Sequence, residues 1–114
     1  MKKLFIAAFM LVSSFGTNVM ADGHAIKMGI ILGFTGPIES LTPAMAGSAE
    51  LAFKEASDSG SLLGGKKIEV VRADSTCVDS AAATAAAEGV ISQGVAAIMG
   101  ADCSGVTGAI ASNV

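Results

Sequence analysis

Residues 95–105 read Val-Ala-Ala-Ile-Met-Gly-Ala-Asp-Cys-Ser-Gly. The apolar first half, residues 95–99, predicts a short buried β-strand, and the small residues from Gly105 onward predict a helix. In open α/β sheets, ligands bind where a strand ends and the next helix begins. The free N–H groups of a first helical turn, together with the helix dipole, suit a carboxylate or another anion. Ser104 is therefore predicted as the N-cap of this helix, either as a cap alone or as a cap that also binds a ligand.

The same alternation of strand and helix begins earlier in the chain. Residues 26–32 read Ile-Lys-Met-Gly-Ile-Ile-Leu and predict a largely buried strand that ends before the turn residues Gly36 and Pro37. Thr42 precedes Pro43, which predicts a helix over residues 43–56 with Thr42 as its N-cap. The positions assigned to the apolar face of this helix recur at three- and four-residue spacing: Met45, Ala49, Ala52, Phe53 and Ala56.

A second strand and a second helix follow a polar, glycine-rich loop over residues 57–65. Residues 66–73 alternate in part and contain β-branched side chains, so they predict a strand. Asp79 or Ser80 is predicted to cap a helix that runs through Ser92, and Gly94 takes the position of a C-terminal glycine. The alanines of this helix favour helix formation and close packing against a sheet.

This order of elements is typical of an α/β fold, a doubly wound parallel sheet with helices on both faces. Three parallel strands leave both edges of the sheet open. The last residues, Asn113 and Val114, still lie in a helical pattern without a terminating Gly or Pro. We therefore expect an N-terminal fragment of a longer protein; a complete small α/β domain is the alternative.

The N-terminus has the order of a secretory signal peptide. Lys2 and Lys3 precede an apolar run, and Val19, Met20 and Ala21 fit a cleavage site after Ala21. The apolar run is shorter than the roughly 20 residues that a transmembrane helix needs, so an uncleaved anchor is the weaker interpretation. Residues 1–21 are predicted as the signal peptide, and the exported chain from residue 22 is expected outside the cytoplasm without membrane insertion.

The charge of the exported part excludes some partners. The sequence has seven basic and ten acidic residues, and two of the basic residues belong to the signal peptide. Such an acidic surface argues against nucleic acid and against anionic membranes as partners.

Cys77 and Cys103 are predicted to form a disulfide. They follow the second and third strands, whose carboxyl ends meet at one edge of a parallel sheet, and thiols of exported proteins tend to pair. A metal site is the weaker interpretation, because His24 is the only histidine and two cysteines are too few ligands. A nucleophilic cysteine would need a histidine partner that the sequence does not place nearby.

The chain resembles the periplasmic leucine/isoleucine/valine-binding proteins, solute-binding components of ABC transporters. The resemblance covers essentially all of the exported part and rests on three segments: Gly33-Phe-Thr-Gly-Pro-Ile38, Asp74-Ser-Thr-Cys77 and Gly100-Ala-Asp-Cys-Ser-Gly105. It implies a two-lobed receptor that closes around a small ligand, with residues 22–114 as the first part of the N-terminal lobe. The cysteines that match Cys77 and Cys103 form a disulfide in this family.

The resemblance also implies a ligand set. The serine that matches Ser104 contacts the carboxylate of a bound amino acid, and Leu41 is similar in position to a tryptophan of the branched-chain amino acid binder. Leu41 either lines a differently shaped apolar pocket or covers the core. Apart from the resemblance, Thr107 faces the cleft if the third helix begins at Ser104, and it then either binds ligand or bonds its own helix backbone. Thr35 either binds ligand or bonds the turn backbone.

Several charged residues lie near this predicted cleft. Asp74 is expected to organise its loop, because it has no partner carboxylate or histidine with which to do catalysis. Glu39 and Asp102 are expected in cleft-side loops, either as solvated charges or as groups that favour a cationic part of a ligand.

The expected function is capture of an amino acid or a related small polar metabolite and its delivery to an inner-membrane ABC permease. No catalytic residues, cofactor or metal are expected, since binding and lobe closure involve no bond chemistry. The alternative is a ligand-sensing domain of a receptor or regulator with the same fold. An enzyme with a nucleotide-binding sheet is disfavoured, because no glycine-rich phosphate loop follows any strand.

Overall fold

The computed structural model describes residues 25–114, so the predicted signal peptide and its cleavage site lie outside the described residues. Strands and helices alternate along this part of the chain. The elements are β1 (Ile26–Leu32), α1 (Thr42–Asp58), a short 3-10 turn (Leu62–Gly64), β2 (Ile68–Asp74), α2 (Ser80–Ser92), β3 (Ala97–Gly100) and α3 (Ser104–Asn113). Each predicted strand and helix is present, with ends shifted by one or two residues, and the 3-10 turn lies in the predicted loop.

The three strands form one parallel sheet in the order β2-β1-β3. β1 lies in the centre, and its residue Met28 pairs with Val70 of β2 on one side and with Ala97 of β3 on the other. Central strands of parallel sheets are apolar because both faces are covered. The run Ile30, Ile31 and Leu32 is accordingly almost fully buried, which confirms the predicted α/β fold with a parallel sheet.

The core has two parts, one on each face of the sheet. Alternate side chains of a strand point to opposite faces, so Ile30 and Leu32 pack toward α1 while Ile31 packs toward α2 and α3. Helices on both faces are what a doubly wound sheet requires. The residues that complete the core on the α2 and α3 side are Ala83, Ala87, Val90, Ala101 and Val106.

α1 differs from its predicted start and its predicted buried face. Thr42 is the first residue of the helix and not its N-cap; Leu41 occupies the cap position without a side-chain hydrogen bond. The Thr42 hydroxyl is buried and donates instead to the carbonyl oxygen of Gly33 (3.1 Å), while the carbonyl oxygen of Glu39 lies 3.4 Å away. A buried hydroxyl needs an acceptor, and the end of β1 supplies one.

The buried face of α1 follows from that contact. With Thr42 buried, residues four and seven positions later, Ala46 and Ala49, also face the sheet, followed by Phe53 and Ser57. Met45 and Ala52, assigned to the apolar face from the sequence, are exposed. That part of the prediction is wrong because it did not place the polar residues Thr42 and Ser57 on the buried face of the helix.

α2 is placed close to the sheet by small residues. A Cβ atom on Gly29 of β1 would lie 2.6 Å from the Val90 side chain, so the helix approaches at a distance that only glycine permits. The cap prediction is confirmed: the Asp79 carboxylate accepts the N–H groups of Ala81 (2.9 Å) and Ala82 (3.0 Å). Gly94 follows the helix with φ +78°, as predicted for a C-terminal glycine. No helix within residues 25–114 has the length and apolar character to cross a membrane.

Candidate functional site

The loops at the carboxyl ends of the three strands meet at one edge of the sheet. A disulfide between Cys77 and Cys103 joins the loop after β2 to the start of α3, with Cα atoms 5.2 Å apart. The predicted pairing is confirmed. It fastens the first turn of α3 to the sheet edge at which open α/β folds bind ligands.

α3 begins at Ser104, and Cys103 is its N-cap residue. The prediction that Ser104 caps the helix is therefore wrong by one position. The backbone of Cys103 is extended (φ −96°, ψ 128°), as an N-cap requires, but its sulfur is committed to the disulfide and no side chain caps the helix.

Because no side chain caps α3, its N-terminal end is free to bind an anion. The first hydrogen bond within α3 runs from the Thr107 N–H to the Cys103 carbonyl oxygen (3.0 Å). The N–H groups of Ser104 and Gly105 precede it and point out of the helix end, where the helix dipole is positive. Both residues are exposed, so the geometry suits a carboxylate held by N–H groups and the Ser104 hydroxyl.

Thr107 lies one turn further along α3. Its hydroxyl lies 2.9 Å from the Cys103 carbonyl oxygen and 3.2 Å from the Ala101 carbonyl oxygen. The single hydroxyl proton is therefore used locally, whereas the oxygen can still accept a hydrogen bond from a ligand.

Thr35 and Leu41 lie on the other side of this edge, after β1. The Thr35 hydroxyl donates to Asp74 (2.6 Å), which joins the loop after β1 to the end of β2. Leu41 is 59% exposed at the start of α1. Its side chain is thus an exposed apolar surface and not a part of the buried core.

Asp74 organises this loop pair, as predicted. Besides the Thr35 hydroxyl, its carboxylate accepts the N–H groups of Thr35 (3.2 Å) and Thr76 (2.8 Å). Partial burial raises the pKa of the Asp74 carboxyl, but these hydrogen bonds outweigh burial and hold the pKa below its usual value. Asp74 is therefore ionised near neutral pH.

The lowered pKa of Asp74 predicts a pH-dependent contribution to stability. A carboxyl with a lowered folded-state pKa stabilises the protein above its unfolded pKa of about 3.9, and this contribution is lost as pH falls through the folded pKa. We expect Asp74→Asn to lower the free energy of unfolding at pH 7 and to lose this deficit below about pH 4. Urea unfolding of both proteins at a series of pH values measures the difference; a deficit that is constant with pH would contradict the prediction.

Asp102 has a role that sequence reasoning missed. Asp102 is exposed, as expected for a charge in a cleft-side loop, but its carboxylate also accepts the N–H groups of Gly33 (2.8 Å) and Cys103 (2.9 Å). The Ser75 hydroxyl, which is fully buried, lies 3.5 Å from the same carboxylate. The available signal is the position of Asp102 in the loop between β3 and α3. Glu39 is exposed, as expected for a solvated loop charge.

No group of three histidine, cysteine, aspartate or glutamate side chains within residues 25–114 is arranged to hold a metal ion. The described edge thus offers backbone N–H groups, hydroxyls and one exposed apolar side chain. That set of groups can bind a small polar molecule that carries a carboxylate.

Comparisons with known proteins agree with this fold. A family model described as "Periplasmic binding protein" matches residues 25–114. Among solved structures, the fold is similar to the branched-chain amino acid transporter substrate-binding protein LivJ from Streptococcus pneumoniae, determined in complex with isoleucine (TM-score 0.54, 31% identity). The match covers 78% of this chain and 25% of that protein, so the chain spans about a quarter of its length. A search of curated protein sequences finds no match.

Proposed function

The chain belongs to the periplasmic binding protein family, and from that membership we propose that it forms the start of the substrate-binding component of an ABC transporter. The proposed ligand is an amino acid of the branched-chain type or a related small polar metabolite. LivJ is a transporter substrate-binding protein in complex with isoleucine, which supports this ligand class.

One observation carries the proposal: the uncapped first turn of α3 is fixed at the carboxyl edge of the sheet. The N–H groups of Ser104 and Gly105, and the Ser104 hydroxyl, are proposed to bind the ligand carboxylate. Because the Cys77–Cys103 disulfide already orders this turn, little conformational entropy is lost when the ligand binds.

Three further residues complete the proposed ligand set. Thr35 and Thr107 use their hydroxyl protons within the protein, so each is proposed to act as an acceptor toward the ligand. Leu41 is proposed to contact an apolar ligand side chain, since exposed apolar surface gains from being covered by apolar groups.

The proposal also covers the export, the two-lobed architecture and the permease partner of the full-length protein. Residues 1–21 are proposed to be a signal peptide cleaved after Ala21, and residues 22–114 to begin the N-terminal lobe of a two-lobed periplasmic protein. Closure of the lobes around the ligand would present the surface that an inner-membrane ABC permease recognises. The protein is proposed to bind and release its ligand without catalysis.

Ser104→Ala tests the proposed carboxylate contact. We expect this change in the full-length protein to weaken isoleucine binding by about 1 to 2 kcal/mol, because it removes a hydrogen bond to a charged group. Isothermal titration calorimetry with isoleucine measures the affinity. Ser112→Ala is the matched control, since Ser112 lies on the same helix and its hydroxyl only donates to the Gly108 carbonyl oxygen (2.8 Å).

Equal affinities of wild type and Ser104→Ala would remove Ser104 from the site. If the wild-type protein does not bind branched-chain amino acids at all, the proposed ligand class is wrong. Binding of the ligand by a protein that continues into a transmembrane helix and a signalling module would favour the sensor function.

A further inference from the structure

We infer that Asp102 is a positioning residue that holds the two ligand-facing loops of this lobe, the loop after β1 and the start of α3, in one fixed arrangement. This inference rests on the proposed function, because it assigns a role in shaping that binding site. Asp102 itself is not placed in contact with the ligand.

The contacts of Asp102 reach all three strand ends. One carboxylate oxygen accepts the N–H of Gly33, directly after β1, at 2.8 Å. The other accepts the N–H of Cys103, the N-cap of α3, at 2.9 Å, and lies 3.5 Å from the hydroxyl of Ser75, directly after β2. Both oxygens of one side chain thus join separate segments of the chain.

The disulfide does not directly join the loop after β1 to the start of α3. It joins the loop after β2 to α3, whereas Thr35 and Leu41, the proposed ligand residues outside α3, lie after β1. The Gly33 N–H bond to Asp102 is a direct polar contact between the β1 loop and the turn that carries Ser104. Hydrogen bonds from backbone N–H groups to a carboxylate are stronger than those between neutral groups, so this contact fixes the distance between the loops.

The backbone of Asp102 supports a positioning role. Its φ is +28°, within the left-handed region that side chains other than glycine, asparagine and aspartate seldom adopt. Such a conformation persists where the surroundings hold it. Here the bonds from Gly33 and Cys103 hold both carboxylate oxygens, and they orient the peptide that leads into α3.

The test compares Asp102→Ala with Asp79→Ala in the full-length protein. Asp79 is the matched control, because its carboxylate also accepts two backbone N–H groups at a helix start, that of α2, but joins no second loop. Isoleucine affinity is measured by calorimetry, and amide hydrogen exchange at Gly33 and in the first turn of α3 is measured without ligand.

We expect Asp102→Ala to bind isoleucine at least about tenfold more weakly than the control variant. Amide exchange at Gly33 should be about tenfold faster in Asp102→Ala than in the control variant. Asp102→Asn should fall between wild type and Asp102→Ala, since asparagine tolerates the same φ but offers one acceptor oxygen instead of two. This partial rescue separates positioning from a general loss of stability.

Equal affinity and equal exchange in Asp102→Ala and Asp79→Ala would overturn the inference. So would affinity in Asp102→Asn as low as in Asp102→Ala. If wild type does not bind isoleucine, the proposed ligand is wrong; exchange at Gly33 then decides alone, with faster exchange in Asp102→Ala supporting the positioning role and unchanged exchange overturning it.

Discussion

Removal of the Cys77–Cys103 disulfide is expected to lower the free energy of unfolding by about 3 to 4 kcal/mol. The bond closes a loop with a sequence separation of 26 residues, and on the chain-entropy model a loop of this size restricts the unfolded chain by that amount. The disulfide also holds the start of α3, so its loss should weaken ligand binding as well as stability.

The measurement is urea unfolding of the full-length double variant Cys77→Ser/Cys103→Ser beside the oxidised wild type. Changing both residues together leaves neither partner of this disulfide as a free thiol. Wild type with its disulfide reduced is the control and should unfold near the midpoint of the double variant. A double variant with the unfolding midpoint of the oxidised protein would show that the bond does not stabilise the fold.

Gly36→Ala is expected to destabilise the protein by about 2 to 4 kcal/mol. Gly36 has φ +96°, which an alanine adopts only with strain, and a Cβ atom there would lie 2.4 Å from the Thr76 carbonyl oxygen. Because that oxygen belongs to the backbone of the neighbouring loop, relief requires the loops after β1 and β2 to move apart.

Gly47→Ala is the matched control for this prediction. Gly47 lies within α1, and a Cβ atom there would meet nothing within 4 Å. Alanine is the better helix former, so this change should raise the free energy of unfolding by about 0.5 to 1 kcal/mol. Thermal or urea unfolding measures the change in the free energy of unfolding for both variants. Equal changes would show that neither the φ value nor the close contact at Gly36 affects stability.

The fold was predictable because its signals are local and repeated. The apolar run around Ile30, the Asp79 cap and the Gly94 terminator each reflect a preference that acts within a few residues. The disulfide was predictable from topology, since the carboxyl ends of parallel strands share one edge. These parts of the interpretation needed no knowledge of distant contacts.

The buried face of α1 and the role of Asp102 were not predictable in this way. Thr42 is buried because the end of β1 offers its hydroxyl an acceptor, Gly33, nine positions earlier, and periodicity of apolar residues does not contain that information. Asp102 bonds the same Gly33 from 69 positions away, a contact that only the folded sheet creates. Polar residues that are satisfied by tertiary contacts therefore account for both features that the sequence did not predict.

The central position of β1 has a consequence for the order of folding. β1 comes first among the described strands, but it is paired on both sides only after β3 has joined the sheet. Met28, for example, pairs with Val70 on one side and with Ala97 on the other. Two long loops must close before the sheet exists, and contacts between distant residues slow folding. A nascent chain can therefore pair β1 with β2 early, but it cannot enclose its most apolar strand until residues 97–100 have emerged.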